Sequence, residues 1–129
     1  MARNTLEDRN AMSFAELVSW AWRETPPVHE NGTNLVIHIV AVPLFVLGHV
    51  LLIAGLLVTP WLFAAAALSI VASLAVQKFG HSLERNQVPP FTGAGDFLRR
   101  LYAEQFCNLW RFLVSGRWYA NFRASRSGA

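Results

Sequence analysis

Between Leu35 and Gln77 the chain runs for 43 residues without a single Asp, Glu, Lys or Arg. That is twice the roughly 20 residues an α-helix needs to cross a bilayer. The other 86 of the 129 residues are too few to hide so much apolar sequence from water. Overall, 53% of the residues are hydrophobic and only 15% charged, against roughly 25% charged in ordinary soluble domains. Disorder and most soluble folds are thereby excluded. The expectation is an all-α membrane protein forming a single domain over residues 1–129.

The uncharged run breaks naturally at Thr59-Pro60-Trp61, because proline cannot continue a helix without losing a hydrogen bond. One transmembrane helix is expected over about 34–58 and a second over about 61–79, joined as a hairpin. Trp61 suits a membrane–water interface. Ala41, Gly48 and Gly55 fall seven apart on the first helix. Ala65, Ser69, Ala72 and Ser73 supply small residues on the second, so the two backbones can approach closely. Pro43 is expected to kink the first helix by freeing the Ile39 carbonyl.

Amphipathic or interfacial helices flank the hairpin. Ser13 and Glu16 have the spacing of a capping box and start a short helix over about 13–22, which Pro26-Pro27 ends. After the loop Pro89-Pro90 to Gly95, Asp96 is the expected N-cap of a helix over about 96–115. It places Phe97, Leu101, Leu109, Trp110 and Leu113 among Arg99, Arg100 and Arg111. Such a helix either lies in the interface or packs on the open end of the hairpin. The tail 124–129 reads as disordered.

The net charge is +3, with 11 basic and 8 acidic residues, and ten of the basic residues are arginine. They are scattered over both ends without the basic-aromatic clustering of a nucleic-acid groove, so no nucleic-acid partner is expected and a lipid headgroup surface is. Residues 1–12 lack the apolar run of a secretory signal. The turn has no Lys or Arg, whereas Arg23, Lys78, Arg85, Arg99 and Arg100 flank the open ends. Both termini are therefore expected on the cytoplasmic side. Cys107 is the single cysteine, which excludes an internal disulfide and a CxxC metal or redox motif.

Histidines carry the chemical signal. His38 lies 21 residues before Thr59 and His81 lies 21 residues after Pro60, so both sit roughly 32 Å from the turn at one depth. Asn34 with His38, and Gln77 with His81 and Glu84, give each helix one polar face there. His29, just past Pro26-Pro27, is on a segment able to fold back over the same opening. Three imidazoles and the Glu84 carboxylate at one end of a hairpin suit non-haem iron, zinc or manganese. Any one of these histidines alone would read as an interfacial hydrogen-bonding residue. Three at matched depth favour a metal, since ionisable groups within a membrane are costly. His49 is roughly 16 Å from His38 along the helix, out of reach of the same ion, and reads as a neutral core histidine.

His29-x-Asn31-x-x-Asn34-x-x-Ile37-His38, Val42-Pro43, and then Gly80-His81, Glu84 and Pro89 resemble the 2-hydroxy fatty acid dioxygenase family, whose fungal member serves conversion of phytosphingosine to odd-numbered fatty acids. Pro90-Phe91-Thr92-Gly93, Glu104-Gln105-Phe106 and Arg111 to Gly116 look like its short bacterial branch, which carries a domain-of-unknown-function label. The resemblance spans about residues 23–118. It implies an Fe(2+)-dependent enzyme of the bacterial inner membrane that uses O₂ to shorten a 2-hydroxy fatty acid by one carbon. Carried over by motif, His29, His38 and His81 are the metal ligands, with Glu84 and Asn34 as ligands or their supports. Arg23 or Arg85 would hold the substrate carboxylate, since guanidinium pairs well with it. Homo-oligomerisation is left open. The competing readings are a non-enzymatic small membrane interaction protein and bis-histidine haem ligation by His38 and His81. A di-iron desaturase would need more than the four histidines present.

Overall fold

The computed structural model describes residues 9–127. Its regular elements are helical throughout: α1 (Phe14–Glu24), a 3-10 turn (Pro26–Val28), α2 (Gly32–Leu57), α3 (Leu62–Ser82), α4 (Ala94–Ala103), a π-helical segment (Glu104–Asn108), α5 (Leu109–Val114) and α6 (Arg117–Ser127). The all-α expectation holds for the described residues.

Helices α2 and α3 form the antiparallel hairpin. Helix α2 begins at an Asn31 cap, whose side chain accepts from the Asn34 amide, and continues through Pro43. Both helices are long and apolar enough to cross a membrane, with mean hydropathies of 2.5 and 1.8 in their most apolar stretches. Only 28% and 17% of those stretches are buried, whereas the core helix of a soluble protein would be mostly covered. Exposed side chains include Val40, Leu56, Leu57, Leu68 and Val71.

The seam between the two helices is narrow. Ala41, Gly48 and Gly55 are buried along α2. On α3 the buried row is Ala66, Ser73, Gln77 and Gly80, so Ala65, Ser69 and Ala72 stand beside the contact line rather than on it. A Cβ on Gly48 would come 2.6 Å from Ile70 Cγ1, which explains the need for a small residue there. Polar groups inside the seam satisfy one another. Ser73 donates to the Ala41 carbonyl, and the Gln77 and Gln105 amides exchange bonds of 3.0 and 2.7 Å.

Helix α1 has the expected capping box, with Ser13 and Glu16 each accepting from the other's backbone amide. The later helix starts at Ala94, with Gly93 as cap, so Asp96 is not the N-cap. Instead Asp96 accepts from the Thr92 amide and from Arg9, and pairs with Arg100 at 3.6 Å. From α4 to α5 the chain lies along the hairpin. Tyr102 meets His49, Phe106 meets Phe45, and Phe112 joins Leu35, Val42 and Leu109 in one apolar cluster. Contacts thus climb α2 as the chain advances, which is antiparallel packing against the hairpin's open half.

Gly116, at φ 83°, turns the chain after α5, in the left-handed conformation that glycine adopts at least cost. Helix α6 then returns over the open end, where Trp118 donates to the Leu35 carbonyl. The tail expected to be disordered continues this helix through Ser127; residues 128–129 lie outside the described residues. Asn121 explains the order, because its amide donates to the Pro26 and His29 carbonyls at 3.1 and 2.9 Å.

Candidate metal centre

Four elements converge on the open end. His29 comes from the cap of the 3-10 turn, His38 from α2, His81 from α3 and Glu104 from the first position of the π-helical segment. The three ring centroids lie 4.6 Å (His29–His38), 4.8 Å (His29–His81) and 4.8 Å (His38–His81) apart. One potential ligand atom from each histidine and from Glu104 lies within 4.8 Å of every other. His29, His38, His81 and Glu104 thus form a group that could hold a metal ion.

Hydrogen bonding prepares the rings for that role. A backbone carbonyl only accepts, so His29 Nδ1, 2.7 Å from the Thr25 oxygen, carries the proton. His38 Nδ1 donates likewise to the Asn34 carbonyl at 2.9 Å. Each Nε2 is left with a free lone pair, and both are buried without a hydrogen-bond partner, as is His81 Nδ1. Carbonyl bonds of this kind fix tautomer and orientation in metal-bound histidines. His29 Nε2 also faces Glu104 Oε1 at 3.4 Å. A lone pair opposite a carboxylate oxygen repels unless a cation or proton lies between them, so the donor set fits a cation.

Electrostatics point the same way. Burial and the two neighbouring imidazoles hold the His29 pKa well below its ordinary value, keeping the ring neutral as a ligand must be. Burial pushes the Glu104 carboxyl up to about 7 against the opposing pull of Arg100, although 29% of its side chain remains exposed. Proton and metal ion would therefore compete for this carboxylate near neutral pH.

Glu84 sits beside the cluster but faces elsewhere. Its carboxylate accepts from the Glu30 and Asn31 amides at 3.0–3.1 Å and from Asn34 Nδ2 at 2.7 Å. With three backbone and side-chain donors on it, Glu84 ties the end of α3 to the loop that carries His29 and to the turn that carries His38. Asn34 acts in the same tie through its side chain and on His38 through its carbonyl. Gly80 makes that approach feasible, for a Cβ there would fall 2.2 Å from Asn34 Oδ1.

Arg23 and Arg85 are both exposed. Arg85 lines a polar cavity with Glu30, Asn31, Glu84 and Ser125. Neither lines the apolar cleft that reaches His81 and Glu104, which is bordered by Lys78 and Arg100. His49 stays outside the cluster, with Nδ1 bonded to the Phe45 carbonyl and Nε2 2.9 Å from the Tyr102 hydroxyl.

Glu104 is the residue that sequence reasoning missed. At four residues from Arg100 it looks like half of a surface ion pair on a regular helix. One signal was present: it is the lone acid after Asp96, in a stretch holding six arginines. Comparison with protein-family models, with curated proteins and with solved structures finds no match for this chain.

Proposed function

We propose that this chain is a membrane-embedded, Fe(2+)-dependent dioxygenase that shortens a 2-hydroxy fatty acid by one carbon. The observation that carries the metal part is the convergence of two deprotonated Nε2 atoms, a buried His81 nitrogen and the Glu104 carboxylate, without partners for the nitrogens. Histidine and carboxylate donors with coordination positions left open are the donor type of non-haem iron oxygenases. The lipid part rests on the motif resemblance and on the broad apolar surface of α2 and α3, which suits hydrocarbon surroundings. With the turn free of basic residues, both termini face the cytoplasm.

In this reading iron(II) would supply the route by which O₂ reacts with the hydroxy acid. Mass balance closes with one O₂ per substrate, yielding the shorter acid, CO₂ and water. The protein's own part is positional. Thr25 and Asn34 carbonyls orient two rings, Glu84 fixes their supporting segments, and α6 and Phe112 cover the cluster. Phe112 lies 5.7 Å from the His29 ring.

Purified protein loaded with iron(II) under O₂ should convert 2-hydroxyhexadecanoate to the acid one carbon shorter, read by mass spectrometry. Iron-loaded protein that leaves such acids of several chain lengths untouched would overturn the activity. Impermeant thiol labelling of terminal cysteines from outside intact cells should fail, and efficient labelling would overturn the orientation. Haem ligation fares worse on the geometry. His29 packs edge-on against both His38 and His81, leaving no slot for a planar macrocycle between them.

A further inference from the structure

A cleft of about 660 Å³ opens between α3 and the α4–π segment and ends at His81 and Glu104. Its volume lies within the range of small-molecule sites. Leu74, Phe97 and Leu101 give it an apolar wall, and Lys78 and Arg100 stand on its border. Leu74 is roughly 10 Å from His81 along the α3 axis. It follows Val71 and Leu68 on the same side of the helix, and both are exposed, so the apolar end of the cleft continues into the outer surface of the hairpin.

The charge on its wall is unbalanced. Arg100 is buried and already paired with Asp96 at 3.6 Å, and Glu104 brings one carboxylate to the cleft against the two cations Lys78 and Arg100. Lys78 is exposed and has no carboxylate within ion-pair distance among the described residues. A long apolar wall with surplus positive charge at one end matches an amphiphile with one acyl chain and an anionic head.

We propose that this cleft seats a single-chain carboxylate lipid entering sideways from the bilayer, with Lys78 holding the carboxylate beside His81 and the chain lying along Leu74, Phe97 and Leu101. The assignment deepens the dioxygenase reading and rests on it for the chemistry at the cluster. It transfers the carboxylate-binding role from Arg23 and Arg85 to Lys78.

The test uses metal-free protein in phosphatidylcholine nanodiscs, so that catalysis plays no part. A hexadecanoic acid bearing a photoreactive group near the middle of its chain is crosslinked and mapped by peptide mass spectrometry. Labelling should concentrate on Leu74, Phe97 and Leu101, and excess unlabelled hexadecanoic acid should remove it. Its methyl ester should compete at least about tenfold less well, and Lys78→Met should weaken labelling about tenfold, the size of one lost charge-assisted bond. Leu101→Trp should fill the cleft and abolish labelling, while a separate sample of the variant still takes up zinc like the unmodified chain. Label spread over Val40, Leu56 and Leu68, or unaffected by competitor, would reduce the signal to surrounding lipid and overturn the site. An ester as effective as the acid would overturn the role of Lys78. Because no turnover is measured, an inactive protein with a labelled cleft counts against the dioxygenase alone, and an active one with an unlabelled cleft counts against this proposal alone.

Discussion

The two ends of the hairpin are built by opposite rules. At the closed end, α2 and α3 meet through Gly55 against Phe63 and leave Trp61 67% exposed. Among the described residues no polar side chain is buried there, so van der Waals packing of small residues does the work. At the open end, further elements crowd onto the same two helices and bury His29, His38, Asn34, Glu84, Gln77 and Gln105, with His81 half-buried beside them. Burying polar groups costs several kcal/mol each unless they are paired, and here the ring nitrogens facing one another are not. A fold can carry that cost where something outside the chain repays it. The contrast therefore separates a half that only needs to hold together from a half whose three histidines and Glu104 could hold a metal ion.

The largest expected effect breaks that contrast outright. His38→Ala and His81→Ala should each lose nearly all bound metal, measured by elemental analysis of detergent-purified protein, while the hairpin still inserts because insertion follows the apolar stretch. Retention of metal by either variant would mean that the open end is not a metal centre.

Next comes the division between the two carboxylates. Glu104→Gln should come close to the histidine variants in metal loss. Glu84→Gln leaves the donors in place but puts an amide N–H against backbone N–H groups, so affinity should fall by roughly 10–100-fold, the usual effect of a supporting group. Isothermal titration with iron(II) or zinc distinguishes them, and the reverse order would restore Glu84 as the ligand.

A smaller effect compares glycines. Gly80→Ala forces a methyl onto Asn34, whose amide is already held by Glu84, and should destabilise by about 1–3 kcal/mol, as overpacking does. Gly48→Ala meets mainly the movable Ile70 side chain and should cost less. Thermal unfolding in detergent orders the two, and equal losses would show that both ends are equally tight.

His49→Ala should have the least effect of all. It removes bonds to the Phe45 carbonyl and Tyr102, lowering stability by about 1 kcal/mol with metal content unchanged. An emptied site would place His49 in the centre and undo the assignment of the other three.

Much of the open end was legible in the sequence. Equal counts from the Thr59-Pro60 turn put His38 and His81 level, and Pro26-Pro27 turned His29 back towards them. These are consequences of helix rise and proline chemistry, which are local. What stayed hidden depends on tertiary contact. Residues 124–129 look like tail until Asn121, just before them, meets the Pro26 and His29 carbonyls and holds the helix in place. Glu84 resembles a ligand by position, and only the loop folding onto it consumes its oxygens. The row of small residues on α3 was offset by one position, because helix rotation about its own axis is set by Ser73 and Gln77 reaching their partners.

The π-helical segment has an evolutionary consequence. Before it, the side chains buried on this helix are Asp96, Arg100 and Ala103; Gln105 and Asn108 are buried within it, and Leu109 and Phe112 beyond it. A π turn closes its hydrogen bonds over five residues where an α turn closes them over four, so the segment holds one residue more than regular winding would. Deleting one codon within 105–108 would restore regular winding and rotate everything downstream by about 100° relative to Glu104. A descendant with that deletion could keep Asn108 on the Val18 carbonyl and Phe112 over His29, or keep Glu104 at the histidines, but not both. Loss of the centre is thus a single in-frame deletion away, and such a lineage would retain the hairpin and all three histidines while having lost their fourth companion.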